Sequence, residues 1–219
     1  MLQRKSIEYD GFIKGNDLFD IRIGDSNSVQ PDIAPADVIK NGYQYDFHTH
    51  PRTPSTAPDL PRRIAKKEAR CSMELERVRD ETLSPNDAMF AMQYRPFLDT
   101  SKYNFKSLTI TPRTIIRYDL AEPEKYYRYK KLEGSKKFGA GGKQVKISED
   151  EVQEALNSKW RFIDTSLRNK IYEKQDFSTC GDRDRIVGRK KQWYEFLSSI
   201  GMKIEEKPAA FAAPRKGSR

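Results

Sequence analysis

Two histidines lie two residues apart, and the 219-residue chain contains no others. His48 and His50 end an alternating segment that begins at Tyr43, and Pro51 follows directly. On a β-strand, side chains two residues apart point the same way and lie about 7 Å apart, so both imidazoles can reach one cation. Histidine is the commonest zinc ligand, and a catalytic zinc usually takes three protein ligands and a water. The third ligand must therefore be a carboxylate.

Two carboxylates are candidates for that third ligand. Asp87 closes the segment 84–87, in which Ser84 is predicted to cap a helix and a proline occupies the first turn. A carboxylate at a helix N-terminus is stabilised by the helix dipole. Asp59 closes the segment 56–59, which comes sooner after the histidines and has prolines where a helix should begin. The predicted helix start favours Asp87, and the sequence leaves Asp59 as the alternative.

An early glutamate completes a recognisable pattern. Glu8 stands three residues before Gly11 on a predicted strand, ahead of the histidine strand and the segment 84–87. This order of motifs resembles the JAB/MPN (JAMM) metallopeptidase family, which has a glutamate before a glycine, a His-x-His-Pro strand and Ser-x-x-Asp at a helix start. Residues 24–29 are similar to those of small prokaryotic and toxin-associated members. The resemblance extends over roughly residues 6–120.

The resemblance implies a fold and a reaction. The fold would be α+β, with a mixed β-sheet and flanking helices. His48, His50 and Asp87 would bind Zn²⁺, while Glu8 would move a proton from the attacking water to the leaving amine. Ser84 would hydrogen-bond the oxyanion of the tetrahedral intermediate. The expected activity is that of a zinc-dependent peptidase or isopeptidase hydrolysing an amide bond in a protein or peptide substrate.

The chain departs from the family pattern at two places. Between His50 and Ser84 lie 33 residues, more than the family usually has, and residues 62–81 are predicted to form a surface helix. We interpret residues 52–83 as an insertion that could act as a lid or recognition arm. Only seven residues precede Glu8, so the usual leading helix is absent or replaced, and Asp10 is an alternative base.

Alternation and turn residues predict the remaining elements. Strands are expected over residues 6–13, 18–23, 107–111 and 114–118, with a hairpin turn at 14–17. A proline-bearing loop with Pro31 and Pro35 precedes the histidine strand. Two later helices are expected, one with a core stripe over residues 152–171 and one that buries Trp193 and ends before Gly201. The tail from Lys207 onward is predicted to be loose.

Charge divides the chain. Residues 1–124 hold 18 Lys and Arg against 19 Asp and Glu, whereas residues 125–219 hold 23 against 13. We therefore expect a JAB/MPN-like domain over 1–124 and a basic, mainly helical extension over 125–219. The extension could bind an acidic partner or nucleic acid, since residues 126–131 interleave tyrosines with basic side chains. A solvated helix face explains the same charges equally well.

Other features narrow the class of protein. No window approaches the roughly 18 apolar residues that a membrane span needs, and the N-terminus has no apolar leader, so we expect a cytoplasmic protein. Cys71 and Cys180 lie too far apart to suggest a disulfide framework. The alternative function is a catalytically inactive JAMM-fold scaffold in a nucleic-acid-associated, viral or ribonucleoprotein assembly. A third interpretation is a toxin-module enzyme whose C-terminal part recognises the target.

Overall fold

The computed structural model of the protein describes residues 8–24, 33–50, 81–94, 104–135, 147–172 and 183–209. These residues form an α+β fold with a mixed sheet, which confirms the predicted fold class. The strands are β1 (Tyr9–Lys14), β2 (Asp17–Ile23), β3 (Tyr45–Thr49), β4 (Lys106–Ile110), β5 (Thr114–Leu120) and β6 (Met202–Pro208). The helices are α1 (Pro35–Asn41), α2 (Pro85–Tyr94), α3 (Pro123–Ser135), α4 (Glu149–Tyr172) and α5 (Arg183–Ser199).

The sheet places the histidine strand in its interior. Its strands follow the order β2-β1-β3-β4-β5-β6, so β3 lies between β1 and β4. Only β3 and β4 run parallel; the other neighbouring pairs are antiparallel. The backbone of an interior strand is hydrogen-bonded on both sides, which fixes the direction of each side chain. Strand β3 is therefore a rigid support for His48.

The predicted hairpin turn between the first two strands is confirmed. Lys14 pairs with Asp17, which leaves Gly15 and Asn16 as a two-residue loop. Gly15 has a φ of +64°, a left-handed conformation that glycine adopts without the steric penalty of a Cβ.

Helix α1 replaces part of the loop that the sequence predicts before β3. Pro35 starts this helix instead of breaking it, because the first helical residue needs no intrahelical N–H donor. Gly42 ends the helix with a φ of +69° and donates to the carbonyl of Ile39. Val38 packs in a small buried cluster with other apolar residues. Its other buried members are Phe12, Tyr43 and Phe105.

The larger core joins β5 and β6 to helices α2, α3, α4 and α5. Trp193 of α5 is fully buried at its centre, and Trp160 of α4 packs against it edge-on at 5.3 Å between ring centroids. The predicted core role of both tryptophans is confirmed. Val152 and Leu156 confirm the first part of the predicted stripe on α4, whereas the side chains beyond residue 162 of that helix lie outside the description.

Strand β6 corrects the prediction of a loose tail for its first residues, 207–208, and the tail beyond residue 209 lies outside the described residues. Helix α5 ends before Gly201 as expected, but the chain then pairs with β5 from Met202 to Pro208. Lys207 is therefore a strand residue, and the backbone N–H of Ala209 still donates to the carbonyl of Arg113 at 2.8 Å. The backbone N–H and C=O groups of β5 pair with these residues and hold them in a strand, which their composition alone does not predict. A boundary after residue 124 falls inside α3, and the elements on its two sides share one sheet and one core.

Several predictions concern residues outside the described parts of the chain. These include most of the helix at 62–81, both cysteines and the competing ligand Asp59. None of the described helices is both long enough and apolar enough to cross a membrane.

Candidate metal centre

The two imidazoles converge at the end of β3. The Nε2 atoms of His48 and His50 lie 3.2 Å apart, which confirms that the side chains point the same way. His50 directly follows the strand, and its backbone N–H donates to the carbonyl of Ile110 at 2.9 Å. This hydrogen bond keeps His50 aligned with β4, so both rings are held by the sheet and not by a free loop.

A reciprocal capping box brings Asp87 to the histidines. Ser84 lies just before α2, and its backbone N–H donates to Oδ2 of Asp87 at 2.8 Å. In return, the backbone N–H of Asp87 donates to Oγ of Ser84 at 3.2 Å. Each side chain satisfies an amide that a helix start would otherwise leave unpaired. The same local interaction that begins the helix therefore also orients the carboxylate of Asp87, the third candidate ligand.

The three side chains are placed as ligands of one cation. Nε2 of His48 lies 3.1 Å from Oδ1 of Asp87, and Nε2 of His50 lies 3.4 Å from Oδ2 of Asp87. Ligands on a tetrahedral zinc with bonds of roughly 2.0–2.1 Å are about 3.3 Å from one another. All three groups are only partly buried, so one side of the cluster remains open. The predicted set of His48, His50 and Asp87 is thus compatible with a metal ion.

The charge state of Asp87 suits a ligand. Burial raises the pKa of Asp87, but the positive charge and hydrogen bonds available from His48 and His50 outweigh it and hold that pKa well below the usual 3.8. The carboxyl group is therefore ionised at neutral pH, and an ionised carboxylate is the form that coordinates metals.

A buried polar layer that sequence reasoning missed lies beside the histidines. The hydroxyl of Thr109 is 3.1 Å from Nε2 of His48, and the hydroxyl of Ser107 donates to Oδ1 of Asp46 at 2.6 Å. Burial raises the pKa of Asp46 to about 7, although Ser107 and His48 oppose the shift. Alternation was the available signal, since Asp46 stands two residues before His48. The Thr109 hydroxyl contacts the same Nε2 atom that would coordinate a metal, so it lies beside the metal position and not at the outer nitrogen of the ring.

Both candidate bases lie in or just before β1, the strand next to the histidine strand. Asp10 of β1 is paired with His48 in the sheet, and directly paired residues on antiparallel strands project from the same face. Glu8 immediately precedes β1, and continuing the β1–β3 register by two residues would set it opposite His50. The backbone N–H of Tyr9 donates to Oγ1 of Thr49 at 2.9 Å, so the two strands remain adjacent at this end.

Glu8 and Asp10 differ in their surroundings. Glu8 is partly exposed and immediately precedes β1. Asp10 is only 1% exposed, and neither carboxylate oxygen has a hydrogen-bond partner within the described residues. Its nearest ion-pair partner is Nε of Arg22 at 3.7 Å. Burial raises the pKa of Asp10, although the positive charges of Arg22 and His48 partly oppose the shift. Glu8 is therefore better placed to exchange protons with water.

Close packing explains the glycine that follows these carboxylates. A Cβ on Gly11 would lie 2.9 Å from the carbonyl oxygen of Phe19 and 3.0 Å from the ring of Phe47. The contact with the Phe19 carbonyl is too short for a Cβ, so a larger residue would push β1 away from β2, and the Phe47 ring of β3 would also have to move. The glycine of the motif thus lets the carboxylate strand pack closely against both of its neighbours.

Comparisons with known proteins found no matching family model, no matching curated protein and no matching solved structure.

Proposed function

We propose that this chain is a zinc-dependent peptidase or isopeptidase of the JAB/MPN (JAMM) type, related to the small prokaryotic and toxin-associated branch. One observation carries the proposal. The Nε2 atoms of His48 and His50 lie 3.2 Å apart, and each lies within 3.4 Å of a carboxylate oxygen of Asp87, although Asp87 follows His50 by 37 positions in the sequence.

The chemistry of the donor set supports zinc as the metal. Two imidazoles and one carboxylate are a ligand set of catalytic zinc sites, which keep a further coordination position open. Calcium and magnesium prefer oxygen ligands, so a centre with two nitrogen donors disfavours them. When bound, zinc would polarise an amide carbonyl and lower the pKa of an attacking water to about 7.

The proposed proton transfers use Glu8. Its carboxylate takes a proton from the attacking water as the new C–O bond forms at the amide carbon. The same proton then passes to the amide nitrogen as the C–N bond breaks, which releases an amine and a carboxylate. A positioned carboxylate that acts first as base and then as acid typically contributes about 10²–10⁴-fold to the rate.

Ser84 is suited to stabilise the oxyanion. Its Oγ accepts a hydrogen bond from the backbone of Asp87, which leaves the hydroxyl hydrogen available for donation. The capping box also fixes the serine beside the metal ligand. Removing one fixed donor of this kind from an oxyanion hole typically costs about 3 kcal/mol of transition-state stabilisation.

Metal content is the first test. Elemental analysis of protein purified without added metal should find about one zinc per chain, and His50→Ala should carry little or none. Circular dichroism would verify that His50→Ala is folded. A folded wild-type protein that carries no metal and does not bind added Zn²⁺ would contradict the proposal and favour the inactive scaffold.

Cleavage of peptide and isopeptide substrate pools is the second test. Glu8→Gln should lower turnover by at least about 10²-fold while the zinc content stays unchanged. Asp10→Asn serves as the matched control on the same strand and should retain most of the activity. Equal turnover in wild type and Glu8→Gln would assign the base elsewhere, and activity lost only in Asp10→Asn would assign it to Asp10.

A further inference from the structure

The segment that leads into the metal ligand belongs neither to a strand nor to a helix. Residues 81–84 precede α2, and Leu83 among them is fully buried. Backbone N–H and C=O groups in such a segment find no partner in a regular ladder, yet burial without a partner costs free energy. Their hydrogen bonds must therefore come from elsewhere in the fold.

One face of α5 supplies those hydrogen bonds. Nζ of Lys190 donates to the carbonyl of Glu81 at 2.8 Å, and Nε1 of Trp193 donates to the carbonyl of Leu83 at 2.9 Å. The hydroxyl of Tyr194 accepts from the backbone N–H of Leu83 at 3.3 Å. Residues 190, 193 and 194 are spaced by three and four positions, so they lie on one side of the helix.

The donors on α5 are themselves fixed by the sheet. The hydroxyl of Tyr194 donates a hydrogen bond to Oε1 of Glu206 on β6 at 2.8 Å, and Lys190 forms an ion pair with the same carboxylate. The ammonium of Lys190 also lies 5.4 Å from the centre of the Tyr194 ring. The partners of residues 81–84 are therefore held between a helix and a strand of the C-terminal part of the chain.

We infer that Trp193 and Tyr194 are positioning residues of the metal centre, acting through the backbone of Leu83. Leu83 is bonded to α5 through both its N–H and its C=O, and Ser84 follows it directly. Ser84 begins the capping box that orients Asp87, so a shift of Leu83 moves the third ligand. The inference rests on the proposed metal site and assigns the C-terminal helices and β6 to its support.

Two substitutions remove these hydrogen bonds and keep aromatic packing. Trp193→Phe deletes the indole donor, and Tyr194→Phe deletes the phenolic acceptor. Each has a control in the same core that makes no hydrogen bond to residues 81–84 in the described structure. Trp160→Phe reduces the ring that packs on Trp193, and Tyr126→Phe removes a hydroxyl that bonds Glu149.

Hydrogen exchange of the backbone amides tests the inference without metal. The amides of Ser84 and Asp87 should exchange about fivefold faster in Trp193→Phe and Tyr194→Phe, since one lost hydrogen bond is worth about 1 kcal/mol. Amides of β1 provide the reference within each protein. Neither control should change the exchange of Ser84 and Asp87 relative to that reference.

Affinity for Zn²⁺ is the second readout, measured by competition with a chromophoric chelator, with Co²⁺ absorption as a probe of ligand geometry. Both test variants should bind Zn²⁺ about fivefold more weakly, since the lost hydrogen bond to Leu83 is worth about 1 kcal/mol. Both controls should stay within about twofold of wild type, because they leave Leu83 untouched.

The outcomes separate this inference from the proposed function. Faster exchange at Ser84 and Asp87 together with weaker Zn²⁺ binding supports the positioning role. If exchange is faster in the variants but the protein never binds Zn²⁺, the result supports the positioning of the capping box by α5 and contradicts the proposed peptidase function. Unchanged exchange, unchanged Zn²⁺ affinity, or equal effects in tests and controls would each overturn the inference.

Discussion

The candidate metal centre and the core around Trp193 differ in the charge of the polar groups that they bury. In the core, the indole of Trp193 and the hydroxyl of Tyr126 each donate to an oxygen acceptor. At the centre, Asp10 is buried without a hydrogen-bond partner in the described structure, and burial raises the pKa of Asp46 to about 7. The buried carboxyl groups beside the histidines are costly when charged, whereas the neutral polar groups of the core carry no such electrostatic cost.

Asp87→Ala should have the largest effect, on metal binding. Loss of a direct ligand should weaken Zn²⁺ binding by more than about 100-fold, because removal of an outer partner alone costs up to that amount. Isothermal titration of the purified protein measures it. The neighbouring Asn86→Ala, an exposed position in the same helical turn, should bind Zn²⁺ as wild type does. Unchanged binding in Asp87→Ala would favour Asp59 as the third ligand.

Leu197→Ala should have the largest effect on folding. This side chain is fully buried beside Trp193, so the substitution leaves a cavity and should lower the free energy of unfolding by about 2–5 kcal/mol. Leu132→Ala is the control, since Leu132 is 56% exposed and should change stability by less than about 0.5 kcal/mol. Urea denaturation compares the two. Similar losses would refute the assignment of the core.

Asp46→Asn should stabilise the metal-free protein, in contrast to the core substitution. Because the folded-state pKa of Asp46 is about 7 and its ordinary value is 3.8, the folded form holds the proton more tightly. Stability from this group is therefore present below about pH 4 and is lost as the pH rises through 7.

Unfolding of the chelator-treated protein from pH 4 to pH 8 checks that sign. Asp46→Asn should match wild type near pH 4 and exceed it by about 1–3 kcal/mol at pH 8. A difference that stays constant across this range would show that Asp46 does not titrate near neutrality.

Two adjacent lysines on α5 offer the smallest and most closely matched comparison. Lys190 donates to the backbone of Glu81 and has 17% of its side chain exposed, whereas Lys191 has 74% exposed and pairs only loosely with Glu195 at 3.9 Å. Lys190→Met should lower the free energy of unfolding by about 1 kcal/mol, and Lys191→Met by less than about 0.5 kcal/mol. Thermal denaturation measures both changes. Equal effects would show that the hydrogen bond of Lys190 to Glu81 does not stabilise residues 81–84.

Local patterns predicted the parts of the site that depend on short-range geometry. Alternation placed His48 and His50 on one side of a strand, and Ser84 with the proline that follows it predicted a capped helix start. Neither pattern identified the buried layer of Asp46, Ser107 and Thr109, because its members come from two strands whose pairing joins positions 61 residues apart. Strand β6 was missed for a similar reason, because its short alternating pattern does not predict a strand without the pairing with β5.

The sequence by itself determined the types of the candidate metal ligands, the direction of the histidines and the capped helix start that carries Asp87. These features depend on residues two to four positions apart, where backbone geometry fixes the relation between side chains. Only the tertiary structure decided that the helix start meets the histidine strand and that α5 holds the segment before it. Such contacts depend on which surfaces pack together over long separations, and no local pattern contains that information.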